Sequence, residues 1–157
     1  MAVAAHLWLY DQHGLILFLR RSNTGYADGQ WSVPAGHVEL GETIASACVR
    51  EAREEVGVDI LEDDLQFKLV QHKHDIDGDE RIDVFFAASL RRGSEVSICE
   101  PDHCDAISWQ HPADPPTPLV AYVAAALRHL DSRIPVLAYW GFERHPTDHR
   151  PNFEEGA

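Results

Sequence analysis

Three glutamates stand at helical spacing near the middle of the chain: Glu51, Glu54 and Glu55. Residues three and four positions apart lie on one side of an α-helix, so these carboxylates are predicted to converge. Like charges at that spacing destabilise a helix by roughly 0.2–0.5 kcal/mol per pair, and a bound cation would relieve this repulsion. Carboxylate oxygens suit Mg²⁺ or Mn²⁺. Taken alone, however, three glutamates more often form a solvated acidic face.

The helix that carries these glutamates is predicted over residues 43–56. Thr43 suits the N-cap, and Gly57 follows as the expected C-terminal stop. A single apolar stripe recurs at helical spacing and consists of Ala45, Cys48, Val49, Ala52 and Val56. At roughly 100° per residue, the glutamates point about 120° away from this stripe. We therefore expect one face of the helix to pack on a sheet while the other presents the carboxylates.

The surrounding residues form a longer pattern that starts at Gly36 and reads GHVELGETIASACVREAREEVGV. It resembles the signature of the Nudix family, G-x5-E-x7-R-E-U-x-E-E-x-G-U, in which U is a small or aliphatic residue. Chance would give such a match at roughly 1 in 10⁸ starting positions. Its seven fixed positions are occupied by Gly36, Glu42, Arg50, Glu51, Glu54, Glu55 and Gly57. Flanking segments are similar to the MutT-like subgroup, from about residue 3 to residue 130.

The resemblance implies an α/β Nudix fold, in which a mixed β-sheet is sandwiched between α-helices. It also implies a metal site for Mg²⁺, with Mn²⁺ as a substitute, formed by Gly36 (through its carbonyl), Glu51, Glu54 and Glu55. Arg50 corresponds to an arginine that orients neighbouring carboxylates through charge-assisted bonds, and Glu42 and Gly57 correspond to structural supports. The general base is Glu54 or, alternatively, Glu100 in a loop after the sheet.

The activity implied is hydrolysis of a pyrophosphate bond in a nucleoside tri- or diphosphate by attack of water on phosphorus. The main alternative within the enzyme class is a nucleoside diphosphate linked to a sugar or to a second nucleoside. A sensor that binds a nucleotide without turning it over is a third hypothesis. The intact signature disfavours the sensor, because degenerate signatures are typical of such proteins.

Substrate contacts are predicted at four residues outside the signature: Arg20, Trp31, Asp83 and Trp109. Arg20 and Arg21 end a strand, and strand alternation directs at most one of them inward. Trp31, Trp109 and also Tyr26 could stack on a base or pack in the core. Asp83 lies among apolar strand residues, where an unpaired carboxylate is costly. It is expected to bind a base edge or to pair with His74 or Arg81.

Composition indicates an ordinary globular protein with an acidic surface. The chain has 157 residues and a formal net charge of −13, which disfavours nucleic-acid polymers and anionic membranes as partners. Three scattered cysteines and the absence of a signal-like N-terminus are typical of a cytoplasmic protein. The ten histidines give no evident third zinc ligand beside His72 and His74, and His145 and His149 fall in the tail.

The order of the predicted elements is strand, strand, helix, strand, strand, helix. Strands are predicted at 2–10, 15–20, 67–74 and 81–90, with a short one at 107–110, and a second amphipathic helix spans about 119–130. We divide the chain into a Nudix domain at 1–133 and a tail at 134–157. The aromatic tail could cover the core, close the pocket or pair with a second copy in a homodimer.

Overall fold

The computed structural model describes residues 1–142 and the short strand Asp148–His149. Two α-helices occur in this part of the chain, α1 (Ile44–Val56) and α2 (Ala121–Leu127), with a 3₁₀ turn at Glu62–Asp64. The strands form one sheet: β1 (Ala2–Tyr10), β2 (Ile16–Arg21), β3 (Trp31–Ser32), β4 (Ala35–His37), β5 (Gln66–His74), β6 (Glu80–Ser89), β7 (Cys104–Gln110), β8 (Val136–Trp140) and β9 (Asp148–His149).

The sheet is mixed, as predicted. Its strand order is β3-β2-β1-β6-β5-β8-β9, and β4 and β7 add to β1 and β2 outside this path. The pairs β1/β6 and β5/β8 are parallel, whereas the other pairs are antiparallel. Because a parallel neighbour needs a crossover connection, β1 and β6 bring the first and middle parts of the chain together at the centre of the sheet.

Side-chain alternation along β1 divides the core into two layers. Leu7 and Leu9 belong to the layer that contains the apolar side of α1. Trp8, between them, belongs to the opposite layer, which contains Phe85 and α2. Both faces of the sheet are therefore covered by a helix, which confirms the predicted sandwich.

Helix α1 begins and ends as its sequence predicts. The hydroxyl of Thr43 accepts a hydrogen bond from the Ser46 amide (3.0 Å), and Gly57 adopts a left-handed conformation with φ 73°. The predicted apolar stripe needs one correction, because Ala47 is fully buried whereas Ala45 is only half-buried. The buried face, formed by Ala47, Cys48, Ala52 and Val56, is thus turned by roughly 40° toward the glutamates at ~100° per residue. This rotation brings acidic side chains against the sheet.

Three elements differ from the predicted ones. Helix α2 is shorter than expected, whereas β7 is longer than the predicted strand at 107–110. The tail contributes β8, which lies parallel to β5 and buries Val136 and Ala138. A parallel strand depends on a partner about 65 residues away and has no local turn signal, so sequence periodicity gave no sign of it. The domain boundary at residue 133 stays a prediction. Neither α1 nor α2 is long and apolar enough to cross a membrane.

The buried side chain of His6 in β1 predicts that the stability of the protein depends on pH. It is 1% exposed and stacks on Phe85, with ring centroids 4.4 Å apart. Burial lowers the pKa of His6 from 6.5 to about 4; nearby Asp83 opposes this shift, and Arg81 and Lys73 add to it. The unfolded chain therefore takes up a proton that the folded chain excludes. Stability should be fully present above pH ~6.5 and fall by about 3 kcal/mol as the pH drops to 4.

Urea unfolding at a series of pH values checks this prediction, with His6→Gln as the comparison. The difference in unfolding free energy between wild type and variant should change across the window from pH 6.5 to 4. Parallel profiles for the two proteins would contradict the assignment to His6, whatever other groups titrate in the same range.

Candidate active site

Arg50 is the centre of a network that joins α1 to the loop before it. Its Nε and Nη2 donate to the two carboxylate oxygens of Glu42 at 2.8 and 3.0 Å. Its Nη1 donates to Glu51 (2.6 Å) and Glu54 (3.1 Å), and Nη2 also donates to the carbonyl of His37. The bond from Arg50 lowers the pKa of Glu42 to about 2. One guanidinium thus fixes three carboxylates relative to one another.

Gly36 allows the backbone of β4 to approach α1 very closely. A Cβ atom at this position would lie 1.9 Å from Oε1 and 2.0 Å from Cδ of Glu51. No side chain fits there without displacing Glu51, so glycine is required by the approach rather than by its own backbone angles. The backbone of Gly36 and the carboxylate of Glu51 are therefore neighbours at the edge of the site.

Glu55 is the most deeply buried carboxylate of the three on α1. Its Oε2 accepts a hydrogen bond from the Ala35 amide at 2.9 Å. Burial raises the pKa of Glu55 to about 8, and the negative charges of Glu51 and Glu100 act in the same direction. Burial also raises the pKa of Glu51. Placing charge on this group of carboxylates is costly unless a cation is bound beside them.

Glu100 reaches the site because its loop is tied to the end of α1. The amide of Cys99 donates to the carbonyl of Glu55 (3.0 Å), and the amide of Ser97 donates to that of Val56 (3.1 Å). Glu100 then lines a cleft of about 70 Å³. The other residues around this cleft include Leu19, Arg20, Arg21, Thr24, Glu55 and His103.

Arg21, rather than the predicted Arg20, brings positive charge toward the carboxylates. Leu19 packs in the core layer on the α1 side of the sheet. The charge of Arg21, which lines the same cleft, acts to lower the pKa of Glu55. Arg20 lies at the rim of the cleft, where its Nε donates to Asp105 at 2.7 Å, with both side chains more than 40% exposed.

The three remaining residues predicted to contact substrate, Trp31, Trp109 and Asp83, all belong to the packed sheet. Trp31 lies partly buried beneath the guanidinium of Arg20, 5.6 Å from its ring centroid. Trp109 packs against the core layer on the α1 side. Asp83 is 0% exposed, and both of its oxygens accept hydrogen bonds from Arg81 (2.5 and 3.2 Å). Asp83 thus has the Arg81 pairing that the sequence left open as an alternative, and its contact with a base edge stays a prediction.

The donors gathered here fit a hard divalent cation. The three glutamates of α1 and the backbone carbonyl of Gly36 supply oxygen alone, which suits Mg²⁺ or Mn²⁺. Among residues 1–142, no three His, Cys, Asp or Glu side chains already surround one point at metal distances. Glu51 and Glu54 are bonded to Arg50, and Glu55 to the Ala35 amide. Of the tail histidines, His145 lies outside the described residues, as does the side chain of His149.

The sandwich fold and this glycine–glutamate–arginine site together define the class of protein that the signature implied. The family profile described as NUDIX domain matches residues 1–130. The chain therefore belongs to the NUDIX family, which confirms the resemblance.

Relatives and solved structures agree with this assignment. The chain is 33% identical over 104 residues to Nudix hydrolase 8 of Arabidopsis thaliana, covering 65% of this chain and 27% of that protein. It is 30% identical over 93 residues to an RNA pyrophosphohydrolase of Campylobacter jejuni, covering 53% and 56%. The chain thus spans about a quarter and about half of these relatives. A MutT NUDIX hydrolase structure from Burkholderia pseudomallei has a TM-score of 0.74 at 25% identity, covering 82% and 97%.

Proposed function

We propose that the chain is a Mg²⁺-dependent pyrophosphohydrolase that cleaves a nucleoside tri- or diphosphate. The observation that carries this proposal is the gathering of Glu51, Glu55 and Glu100 beside one cleft, with Arg21 on its wall. Such a site repels a phosphate by itself, and it attracts one when a divalent cation offsets the carboxylates. Glu54 stands at the outer edge of the same group, 48% exposed and bonded to Arg50.

The residues of the proposed active site have three different tasks. Glu51, Glu54, Glu55 and the carbonyl of Gly36 would hold the cation, which when bound supplies charge neutralisation to phosphate oxygens and activates water. Arg50 orients Glu51 and Glu54, because its other hydrogen bonds anchor it to Glu42 and His37. Arg21 would bind a phosphate oxygen through its planar fork.

Two glutamates compete for the role of general base, which must lie within hydrogen-bond reach of the attacking water. Glu54 is the first candidate because the signature places it among the ligands. Glu100 is the second, and its position in the cleft wall supports it. Comparing the pH profiles of kcat for Glu54→Gln and Glu100→Gln separates them, since loss of the base removes the acidic limb of the profile.

The substrate is inferred to be a free nucleotide. The net charge of −13 disfavours a long polyanion, whereas similarity to an RNA pyrophosphohydrolase favours RNA with a 5′ triphosphate as a second candidate. A panel with Mg²⁺ should therefore contain ordinary and oxidised nucleoside triphosphates, diphosphates, nucleotide sugars, dinucleoside polyphosphates and a short 5′-triphosphorylated RNA. Products are identified by mass-resolved chromatography. A folded protein that binds metal and cleaves nothing in the panel would overturn the proposal.

The two neighbouring arginines give a paired prediction. Arg21→Ala should raise KM roughly 10- to 100-fold, since a charge-assisted bond to phosphate contributes about 1.5–3 kcal/mol. Arg20→Ala should change KM less than about threefold, because Arg20 is engaged with Asp105 at the exposed rim. Steady-state kinetics of both variants on one substrate test this. Equal effects, or a larger effect for Arg20, would reverse the assignment.

A further inference from the structure

The ring of Tyr26 lies between the proposed phosphate site and a buried cluster on the α2 side of the sheet. The cluster consists of Lys73, Arg81, Asp83 and Tyr122, which are buried or nearly so, whereas Tyr26 is 46% exposed. The Nζ of Lys73 lies 5.8 Å from the Tyr26 ring centroid and 5.0 Å from that of Tyr122. Tyr26 thus covers the cluster and leaves part of its ring to solvent.

Arg21 connects Tyr26 to the cleft that Glu55 and Glu100 line. Its Nε donates to the carbonyl of Tyr26 at 2.8 Å, and its guanidinium lies 5.5 Å from the centre of the tyrosine ring. Thr24, which also lines the cleft, accepts a hydrogen bond from the guanidinium of Arg21. A substrate whose phosphates contact Arg21 therefore has its remaining part close to Tyr26.

The loop holds Tyr26 in place before any ligand arrives. The carboxylate of Asp28 accepts hydrogen bonds from the amides of Thr24 (2.9 Å) and Gly25 (3.0 Å) and from the Thr24 hydroxyl (2.6 Å). These bonds fix the loop backbone next to Tyr26, so this part of the loop loses little conformational entropy when a ligand binds beside it.

The charges of the cluster bear on which chemical group fits beside Tyr26. Arg81 is paired with Asp83, and Lys73 is paired with Asp75. Because each cation already has its anion, the cluster offers little net charge to a second phosphate or acidic group. Tyr26 is 46% exposed as a residue, with Arg21 and Lys73 at 5.5 and 5.8 Å from its ring centroid. A ligand can reach the exposed part of this residue, and aromatic rings stack on planar groups.

We propose that Tyr26 is a specificity-determining residue that stacks on a planar aromatic group, such as a nucleobase, attached to the phosphates. This inference rests on the proposed function for the location of the phosphates. It excludes a bare pyrophosphate or an aliphatic phosphate as the preferred ligand. Because every base has a π-face, the preference should extend over all four common bases.

Calorimetric binding in the presence of Mg²⁺ tests the inference without turnover. The probes are α,β-methylene nucleoside triphosphates carrying each of four bases, and methylenediphosphonate, which lacks the nucleoside. Tyr26→Ala should weaken nucleotide binding roughly 10- to 100-fold and change diphosphonate binding less than about twofold. Tyr26→Phe should bind both probes like wild type. Phe67→Ala is the matched control, since Phe67 is 44% exposed at the other end of β5.

The outcomes separate this inference from the proposed function. Equal weakening of both probes would mean that Tyr26 merely supports Arg21, and unchanged nucleotide binding would remove it from recognition; either overturns the inference. Nucleotide binding that depends on Tyr26, together with no cleavage of any hydrolysable nucleotide in the substrate panel, would leave the inference intact and refute the proposed hydrolysis.

Discussion

Replacing Glu54 by glutamine is expected to lower kcat by roughly 10²–10⁴-fold, the range that loss of a metal ligand or general base covers. Glutamine keeps the shape of the side chain and removes its charge. The carboxylate is 48% exposed and accepts a hydrogen bond from Arg50 at 3.1 Å. The fold should therefore be little affected, and the melting temperature should stay close to that of wild type.

Steady-state kinetics with Mg²⁺, repeated after a chelator is added, measure this effect. Glu62→Gln, an exposed glutamate in the 3₁₀ turn, is the matched control and should retain wild-type activity. Turnover that survives both the Glu54 substitution and the chelator would refute the metal-dependent mechanism. A loss in Glu54→Gln that is accompanied by unfolding would instead assign the residue a structural role.

The substitution Gly36→Ala, which adds a single methyl group, should reduce kcat/KM by about 10²-fold or more, while the protein remains folded. The added Cβ would meet Oε1, Cδ and Cγ of Glu51 at 1.9, 2.0 and 2.6 Å, so that side chain must move as a whole. Displacement of a catalytic group by about 1 Å costs on the order of 10²-fold in rate. The side chain of Glu51 is flexible and can move away from the new methyl group. The effect on the melting temperature should therefore be smaller than the effect on rate.

A double-mutant cycle checks whether Gly36→Ala acts through Glu51. Glu51→Ala removes the atoms with which the new methyl group collides, so the double variant should be no less active than Glu51→Ala alone. Additive losses would contradict the steric explanation and indicate a separate effect on the backbone of β4. Thermal unfolding of all three variants shows whether any of the loss arises from destabilisation.

Local sequence determined the chemistry-bearing segment. The spacing of Glu51, Glu54 and Glu55, the N-cap at Thr43 and the stop at Gly57 all depend on contacts within a few residues. Helical periodicity and capping are local properties, and for that reason α1 was predicted to within one residue. The signature was also sufficient to assign the family, since it requires particular residues and not a particular three-dimensional neighbour.

Tertiary structure decided which way those residues face. Sequence periodicity directed the glutamates away from the core, but the sheet packs against Ala47, and the partly buried carboxylate of Glu55 reaches the Ala35 amide as a result. A helix carries several apolar residues around its circumference, and packing against the sheet selects among them. The raised pKa of Glu55 follows from that choice.

The packing of the sheet and the loops also determined which other residues lie beside the glutamates of α1. Arg20 and Arg21 are equivalent in the sequence, but the register of β2 with β7 shifts between them. The charge of Arg21 acts on Glu55, whereas Arg20 is bonded to Asp105. Glu100 arrives through two backbone hydrogen bonds to the end of α1, and Asp83 is paired because Arg81 lies on the same face of β6. Each of these contacts either joins residues that are distant along the chain or depends on which face of the sheet is covered, so local sequence patterns do not predict it. The sequence therefore determined the helix and the spacing of its glutamates, and packing determined their surroundings.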